Sequence, residues 1–493
     1  MYKQLHPIMF AGTGSDVGKS VIATAFCRIF LQDGYNPAPY KAQNMSLNSY
    51  ATLDGLEIGR AQAVQASAAG IDCHTDMNPI LIKPYSDNKS QIVLNGIPYG
   101  NQDACSYFNK KGQEFFKKEV YNAYDRLEKR YNPIVLEGAG SIAEINLKEG
   151  DLVNMSMAMY AQADVILIAD IERGGVFASV YGTLLLLEPE ERVLVKGIII
   201  NKFRGDLKLF ESGVRKIEAL CNVPVLGVIP FFKDIYIEEE DSVSLATKEN
   251  NYMAGKINVV VVLLQHISNF TDFDLLERDP RVHLYYSNNG KEIEKADIIL
   301  IPGTKSTLSD MYEIRKNSVA QSILKSYKNG ATIMGICGGF QIMGQTICDP
   351  MHIEGKIEQI PGLGLLPVDT VIEGEKITRQ VNFKFHGSAE SCRGYEIHMG
   401  SSFVVEGAKK RPLNKLCDGS EDGYYLNIRC MGSYIHGILD NNHFIDFLLS
   451  PFNDKLKNRP VDIKQYKEDQ FDKLADYVRK YIDVQKIYNI LSI

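Results

Sequence analysis

A strand-like run that ends in a glycine-rich loop and passes at once into a helix opening on Lys-Ser constrains this chain more than any other feature. The run is 7–11 and the loop is Gly12-Thr13-Gly14-Ser15-Asp16-Val17-Gly18-Lys19-Ser20. In such a turn, bare backbone N–H groups and the helix N-terminus make a seat for phosphate oxygens. A lysine placed like Lys19 reaches the β- and γ-phosphates of a nucleotide, and a hydroxyl placed like Ser20 ligates Mg2+. The usual spacing has a glycine at position 13, where this chain has Thr13 between Gly12 and Gly14. Strand, glycines, Lys-Ser and helix are still in order, and together they predict an ATP-binding domain.

The rest of the first half fits the sheet that such a loop requires. Apolar runs ending at Phe10, Leu136, Ile168, Ile200 and Val228 alternate with helical patterns over 19–31, 58–69, 115–129, 176–187 and 207–220. Alternation of this kind implies parallel strands covered on both faces, with ligands held beyond their carboxyl ends. Residues 233–256, with the acidic run Glu238-Glu239-Glu240-Asp241, read as a linker. A first domain over 1–232 is then followed by a second over 257–439, which opens on the apolar run 257–264. Residues 440–493 read as a helical segment that packs back on the domain.

Bulk properties narrow the class. The formal charge is −7, from 54 basic and 61 acidic residues, which disfavours sequence-independent nucleic-acid binding. No apolar run approaches the ~18–20 residues of a membrane span, and the first ten residues lack the apolar core of a secretory signal. The nine cysteines are scattered, odd in number and without a C-x-x-C pair. That argues against a disulfide framework or zinc ribbon and for a reducing compartment. The expectation is a cytoplasmic enzyme.

The second half carries a different chemistry. Gly335-Ile336-Cys337-Gly338-Gly339 follows the apolar run 331–334 and leads into a helix predicted over 340–347. This is the strand–turn–helix nucleophile elbow with sulfur in place of oxygen, and the helix N-terminus favours the thiolate. A partner histidine should lie far off in sequence. His436, in Gly432-Ser433-Tyr434-Ile435-His436-Gly437, fits. Pro302-Gly303-Thr304-Lys305 ends the run 297–301, so backbone at Gly303 and the N–H of Gly338 are candidate oxyanion donors.

The displaced-glycine loop resembles that of dethiobiotin synthetase and its relatives, which phosphorylate a carboxylate with ATP. The resemblance implies a phosphate-supporting lysine at the end of the second strand, where Lys41 stands. It also implies acidic magnesium ligands, for which Glu137, ahead of Gly138-Ala139-Gly140-Ser141, and Glu57 qualify. Asn201 would read the adenine edge, although a strand-end Asx turn remains open. The glycines of Asp170-Ile171-Glu172-Arg173-Gly174-Gly175 offer a second anion seat, for phosphate or for a substrate carboxylate. The elbow and its histidine resemble a class I glutamine amidotransferase domain, in which the cysteine attacks the side-chain amide of glutamine and releases ammonia. Many such domains orient the histidine with a Glu two residues on; this chain has Ile438 there, a lack shared by the corrinoid subfamily. His436 must then be oriented otherwise, or the glutaminase is slow alone.

Over essentially the whole chain, the runs from Lys41 to Tyr50, Glu57 to Gln62, Asp170 to Phe177, Ile200 to Asp206 and Gly394 to Gly400 resemble the cobyric acid synthase family. That resemblance implies a two-domain α/β fold, a parallel-sheet phosphate-loop NTPase-like domain followed by a flavodoxin-like amidotransferase domain with a helical segment after it. It implies ATP- and Mg2+-dependent amidation of the b, d, e and g carboxylates of adenosylcobyrinic acid a,c-diamide, in cobalamin biosynthesis, with ammonia from glutamine. The partners expected are therefore small molecules: a corrinoid, glutamine and ATP. Arg60, Lys83 and Arg204 are candidate contacts for a polyanionic substrate, with solvated surface charge as the alternative. Two other classes compete. One is another glutamine-dependent ligase such as cobyrinic acid a,c-diamide synthase. The other is a partition-type regulatory ATPase, which needs no thiol elbow. The oligomeric state is open.

Overall fold

Strands whose residues are apolar almost without interruption must lie where both faces are covered. The computed structural model, which describes residues 4–86, 89–103, 110–232, 234–238, 252–374, 376–455 and 463–492, places them so. In the first half these are β1 (Ile8–Gly12), β2 (Ala38–Tyr40), β3 (Ile134–Glu137), β4 (Asp164–Asp170), β5 (Val195–Phe203) and β6 (Val225–Pro230). They form one parallel sheet in the order β6-β5-β4-β1-β3-β2. Every residue of β1 is buried. The helices α1 (Lys19–Gln32), α2 (Arg60–Ala68), α3 (Lys110–Glu128), α4 (Val176–Leu186) and α5 (Leu207–Cys221) intervene in sequence. The chain leaves β1 for the edge strand β2, returns to insert β3, then crosses to β4 on the other side of β1. The order reverses at β1, and the crevice beyond its carboxyl end is where an open α/β sheet holds its ligand.

The second half repeats the plan. Its sheet is β8-β7-β9-β10-β12-β11, built from β7 (Ile257–Val262), β8 (Val282–Ser287), β9 (Ile298–Ile301), β10 (Thr332–Ile336), β11 (Tyr424–Asn427) and β12 (Cys430–Ser433). Only the β11–β12 pair is antiparallel. Here the order reverses at β7, and α6 (Thr307–Lys316) follows β9 in sequence. Two antiparallel-rich sheets, drawn from segments between Thr346 and Asp422, are added to this half. In the first half a further four-stranded sheet is built from Gln43–Met45, Ile80–Ser86, Lys89–Leu94 and Ile97–Asp103.

One expectation is corrected, and two segments are placed in more detail. The helix after the elbow, α7, covers only Gly338–Ile342, and a strand begins at Thr346. Its path turns at Gly344, where a Cβ would come within 2.6 Å of Val368 O. Of the expected linker, 233 and 239–251 lie outside the described residues; Ile235 and Ile237 pack on the core of the first half, and the Glu238 side chain is largely covered. The segment 440–493 divides. Helix α8 (Asn442–Leu449) joins the core of the second half, whereas α9 (Ile463–Tyr481) and α10 (Val484–Leu491) cover the first. Phe471, Leu474, Ala475 and Val478 of α9 share a core with Phe26 and Phe30 of α1. Arg28 bonds Glu468 and Asp472 at 2.8 and 2.7 Å, and Arg479 bonds Asp33 at 2.7 Å. No described helix is long and apolar enough to cross a membrane.

Candidate functional site

The phosphate loop lies at the reversal point of the first sheet. Gly18 has φ +98°, and a Cβ there would fall 2.2 Å from Asn201 Nδ2, so the turn requires glycine. Asn201, two residues before the end of β5, donates from Nδ2 to Val17 O at 2.8 Å and clamps the loop rather than closing an Asx turn. The N–H of Thr13 donates to Ile168 O on β4. The Lys19 ammonium donates to Gly14 O and Gly140 O at 2.8 and 2.9 Å, which holds it across the loop.

Glu137 ends β3 with its carboxylate buried beneath Ser20. One oxygen accepts from Ser20 Oγ at 2.8 Å and from Lys41 Nζ at 2.9 Å; the other accepts from Gln65 Nε2 at 2.6 Å. Burial favours the neutral acid, but the Lys41 ammonium and these hydrogen bonds outweigh it and hold the carboxyl below its ordinary range. A hydroxyl and an ionised carboxylate in contact beside a phosphate seat are hard oxygen donors of the kind Mg2+ takes, so the residues fit that ion.

Other expected residues go elsewhere. Glu57 is not part of this cluster. Lys83 Nζ, at 2.7 Å, and Lys376 from the second half occupy its two oxygens, which makes it the counter-ion of both. Arg60 is likewise drawn inside. It donates to Glu238 at 2.6 Å, and its guanidinium lies 4.8 Å over the Tyr50 ring. Lys83 and Arg60 thus occupy the junction between the halves. Arg204 stays half-exposed beside the Asp170–Gly175 turn, paired with Glu172 and stacked 3.8 Å over Phe231. Gly174 and Gly175, both at positive φ, open α4 with nothing within 4 Å of their Cβ positions.

The second constellation stands at the carboxyl ends of four neighbouring strands, β7, β9, β10 and β12. Cys337 follows β10 with φ +53° and ψ −111°, a strained elbow for a side chain to occupy. Its flanking glycines are required by close approach: a Cβ on Gly339 would lie 1.9 Å from Ile301 O, and one on Gly335 would lie 2.5 Å from Gly339. Gly338 heads α7, so its N–H lacks an intrahelical acceptor, and its Cα side abuts the Thr304 backbone. Gly303 faces His436, whose Cε1 would sit 3.1 Å from a Cβ at 303.

His436, after β12, is fully buried. Its Nδ1 lies 2.6 Å from Asp272 Oδ2, and the other oxygen of Asp272 accepts from Gly437 N at 2.9 Å. Burial alone would depress the imidazole. The Asp272 carboxylate and the Cys337 sulfur override it and push the pKa up to about 10. The imidazole is thus held protonated beside the Cys337 sulfur. Asp272 is the residue sequence reasoning missed. It sits in a short helical turn after β7, 164 positions from the histidine it orients. The only signal for it was an acid in the loop at the reversal point of the second sheet, visible once the strand order is known.

The two constellations are in physical contact through the segment after Lys41. Ser49 N donates to Asn269 Oδ1 at 2.9 Å, three residues ahead of Asp272. Tyr50 packs edge-on to Tyr395, which stacks on His436. Lys305, in the loop after β9, donates to Gln91 Oε1 at 2.8 Å.

Comparison with known proteins agrees with this division. Residues 8–245 match the CobQ/CobB/MinD/ParA nucleotide binding domain, and residues 258–444 match the CobB/CobQ-like glutamine amidotransferase domain. The chain is 65% identical to a cobyric acid synthase of Bacteroides fragilis over 492 residues, covering 100% of this chain and 99% of that one. It is 64% identical to that of Phocaeicola vulgatus, with the same coverage. It is 44% identical to that of Thermoanaerobacter sp., covering 98% of each.

Proposed function

Because this chain belongs to the cobyric acid synthase family, we propose that its two constellations divide one ATP- and glutamine-dependent amidation between them. The glutamine half-reaction runs at Cys337. The sulfur attacks the side-chain amide carbon of glutamine, and the oxyanion that forms is met by backbone at Gly303 and Gly338. The His436 imidazolium, oriented by Asp272, protonates the departing nitrogen, so that ammonia leaves and a thioester remains. Water, deprotonated by His436, then releases glutamate and the free thiol.

The synthetase half-reaction runs at the phosphate loop. A side-chain carboxylate of adenosylcobyrinic acid a,c-diamide takes the γ-phosphoryl group of ATP, and ammonia displaces phosphate to leave an amide. The b, d, e and g carboxylates are converted in turn. Lys19 and the loop N–H groups bear the charge on the transferring group. Ser20 and Glu137 would hold magnesium, which supplies neutralising charge to the phosphates. Lys41 keeps Glu137 ionised, and Asn201 holds the loop closed.

The observation that carries this reading is the Cys337–His436–Asp272 arrangement on a chain that also bears the phosphate loop. The decisive experiment compares nitrogen sources. Cys337→Ser should abolish product formation with glutamine while sparing it with ammonium salt at elevated pH, read by mass spectrometry of the corrinoid product. Retained glutamine use would remove Cys337 as nucleophile.

A further inference from the structure

The cavity over Cys337 and His436 is lined by ionisable groups that this chemistry does not use, among them Lys305 and Glu354. Both belong to the second half, but Lys83 and Gln91 of the first half close the wall beside them. The hydrogen bond that holds Lys305 goes to a neutral amide oxygen, that of Gln91. Its charged neighbours include two more cations, Lys376 and Lys83, and these already occupy both oxygens of Glu57. Glu354 caps the start of the helix Thr307–Lys316: it accepts from Thr307 N at 2.5 Å, from Leu308 N at 3.4 Å and from Thr307 Oγ1 at 3.3 Å.

Both groups are poorly compensated. Burial, with the like charges of Lys376 and Lys83, outweighs the carboxylates of Glu57 and Glu354 and pushes Lys305 down, while burial outweighs Lys305 and the cap hydrogen bonds and pushes Glu354 up. An anion brought to the first and a cation brought to the second would each restore the charged form. The cavity therefore presents one wanting cation and one wanting anion beside a nucleophilic thiol. A free α-amino acid carries a carboxylate and an ammonium on one carbon. In glutamine the reactive amide carbon lies three bonds from that carbon.

We propose that Lys305 and Glu354 form the subsite that reads the α-carbon of glutamine, Lys305 taking the α-carboxylate and Glu354 the α-ammonium. The assignment rests on the glutaminase reading above and extends it to substrate selection. Gln91 is a positioning residue for Lys305, so the amino-acid seat is complete only when the first half is docked. Glu57 serves the same seat indirectly, by neutralising Lys83 and Lys376 so that Lys305 is the cation left for the ligand.

The test uses the full-length enzyme and three amides: glutamine, 4-aminobutanamide, which lacks the α-carboxylate, and 4-carbamoylbutanoate, which lacks the α-amino group. A site built to pair a polar group discriminates strongly against a ligand that lacks it. In Lys305→Met the preference for glutamine over 4-aminobutanamide, as a ratio of kcat/KM, should fall about 100-fold, while the preference over 4-carbamoylbutanoate stays. Glu354→Gln should show the reverse. Thermal melting of each variant checks the fold. The proposal is overturned if Lys305→Met keeps the wild-type preference over 4-aminobutanamide, or if both preferences fall together in both variants. Failure of the glutaminase reading looks different, because Cys337→Ser would then still hydrolyse glutamine.

Discussion

Asp272 supplies the charge that lets a buried histidine stay protonated, and its removal is the sharpest probe of the thiol site. In Asp272→Asn the His436 pKa should drop from about 10 towards 6.5, because the largest favourable influence is gone while burial remains. Glutamine-dependent synthesis should fall by about 100-fold or more, with ammonia-dependent synthesis retained. Product assays with both nitrogen sources and an NMR titration of the imidazole check the two halves of this expectation. The sign of the stability effect follows. A raised histidine pKa stabilises the fold fully below the unfolded value of about 6.5, and that contribution is lost as pH rises through about 10. The wild type should therefore lose more stability than Asp272→Asn between those limits. At the other site, Glu137→Gln should raise the Mg2+ concentration needed for half-maximal turnover and depress the rate, while the fold survives; unchanged metal dependence would leave Glu137 a structural residue. Cys337 and His436 were readable because glycines on either side announce a tight turn after a strand. Asp272 was not, since an acid in a short turn looks like any surface loop until the strand order brings it beneath the imidazole.

At the level of elements, legibility follows burial. Strands covered on both faces, such as Ile257–Val262, are buried throughout and apolar but for Asn258, and stand out in any reading. Strands such as Ile377–Phe385 are exposed or half-covered over their first four residues and alternate between buried and exposed only from Val381 on, over a mixed polar sequence, which is why the antiparallel sheets of the second half are hard to read. The elbow shows how tightly an element can be held by what it lacks. Gly339→Ala would drive a methyl group into the Ile301 carbonyl. Overpacking against backbone, which cannot rotate away, should destabilise the second half by about 3 kcal/mol. Urea unfolding followed through that half measures it, and a midpoint equal to the wild type would show that α7 can shift away from β9.

For the molecule as a whole, the unexpected feature is which body the late helices cover. An apolar stripe such as Phe471, Leu474, Ala475 and Val478 predicts a helix that must bury one face, but says nothing of the surface it meets. It meets α1, the helix that starts at Lys19 and Ser20. Leu474→Ala should leave a cavity between α9 and α1 and destabilise the first half by roughly 2–5 kcal/mol. Calorimetry should show the effect on the melting of that half, with ATP-dependent activity lost at lower temperature than glutamine hydrolysis. Simultaneous loss of both would mean that the halves melt as one unit. The arrangement also imposes a timetable on synthesis. Residues 8–230 leave the ribosome with Phe26 and Phe30 still lacking the partners that α9 and α10 will bring. At about 5–20 residues per second, those partners arrive roughly ten seconds or more later. In the interval the whole sheet of the second half emerges. The nascent chain therefore carries an unsealed nucleotide half while its thiol half is already able to close, and that exposed face is where a chaperone would be needed.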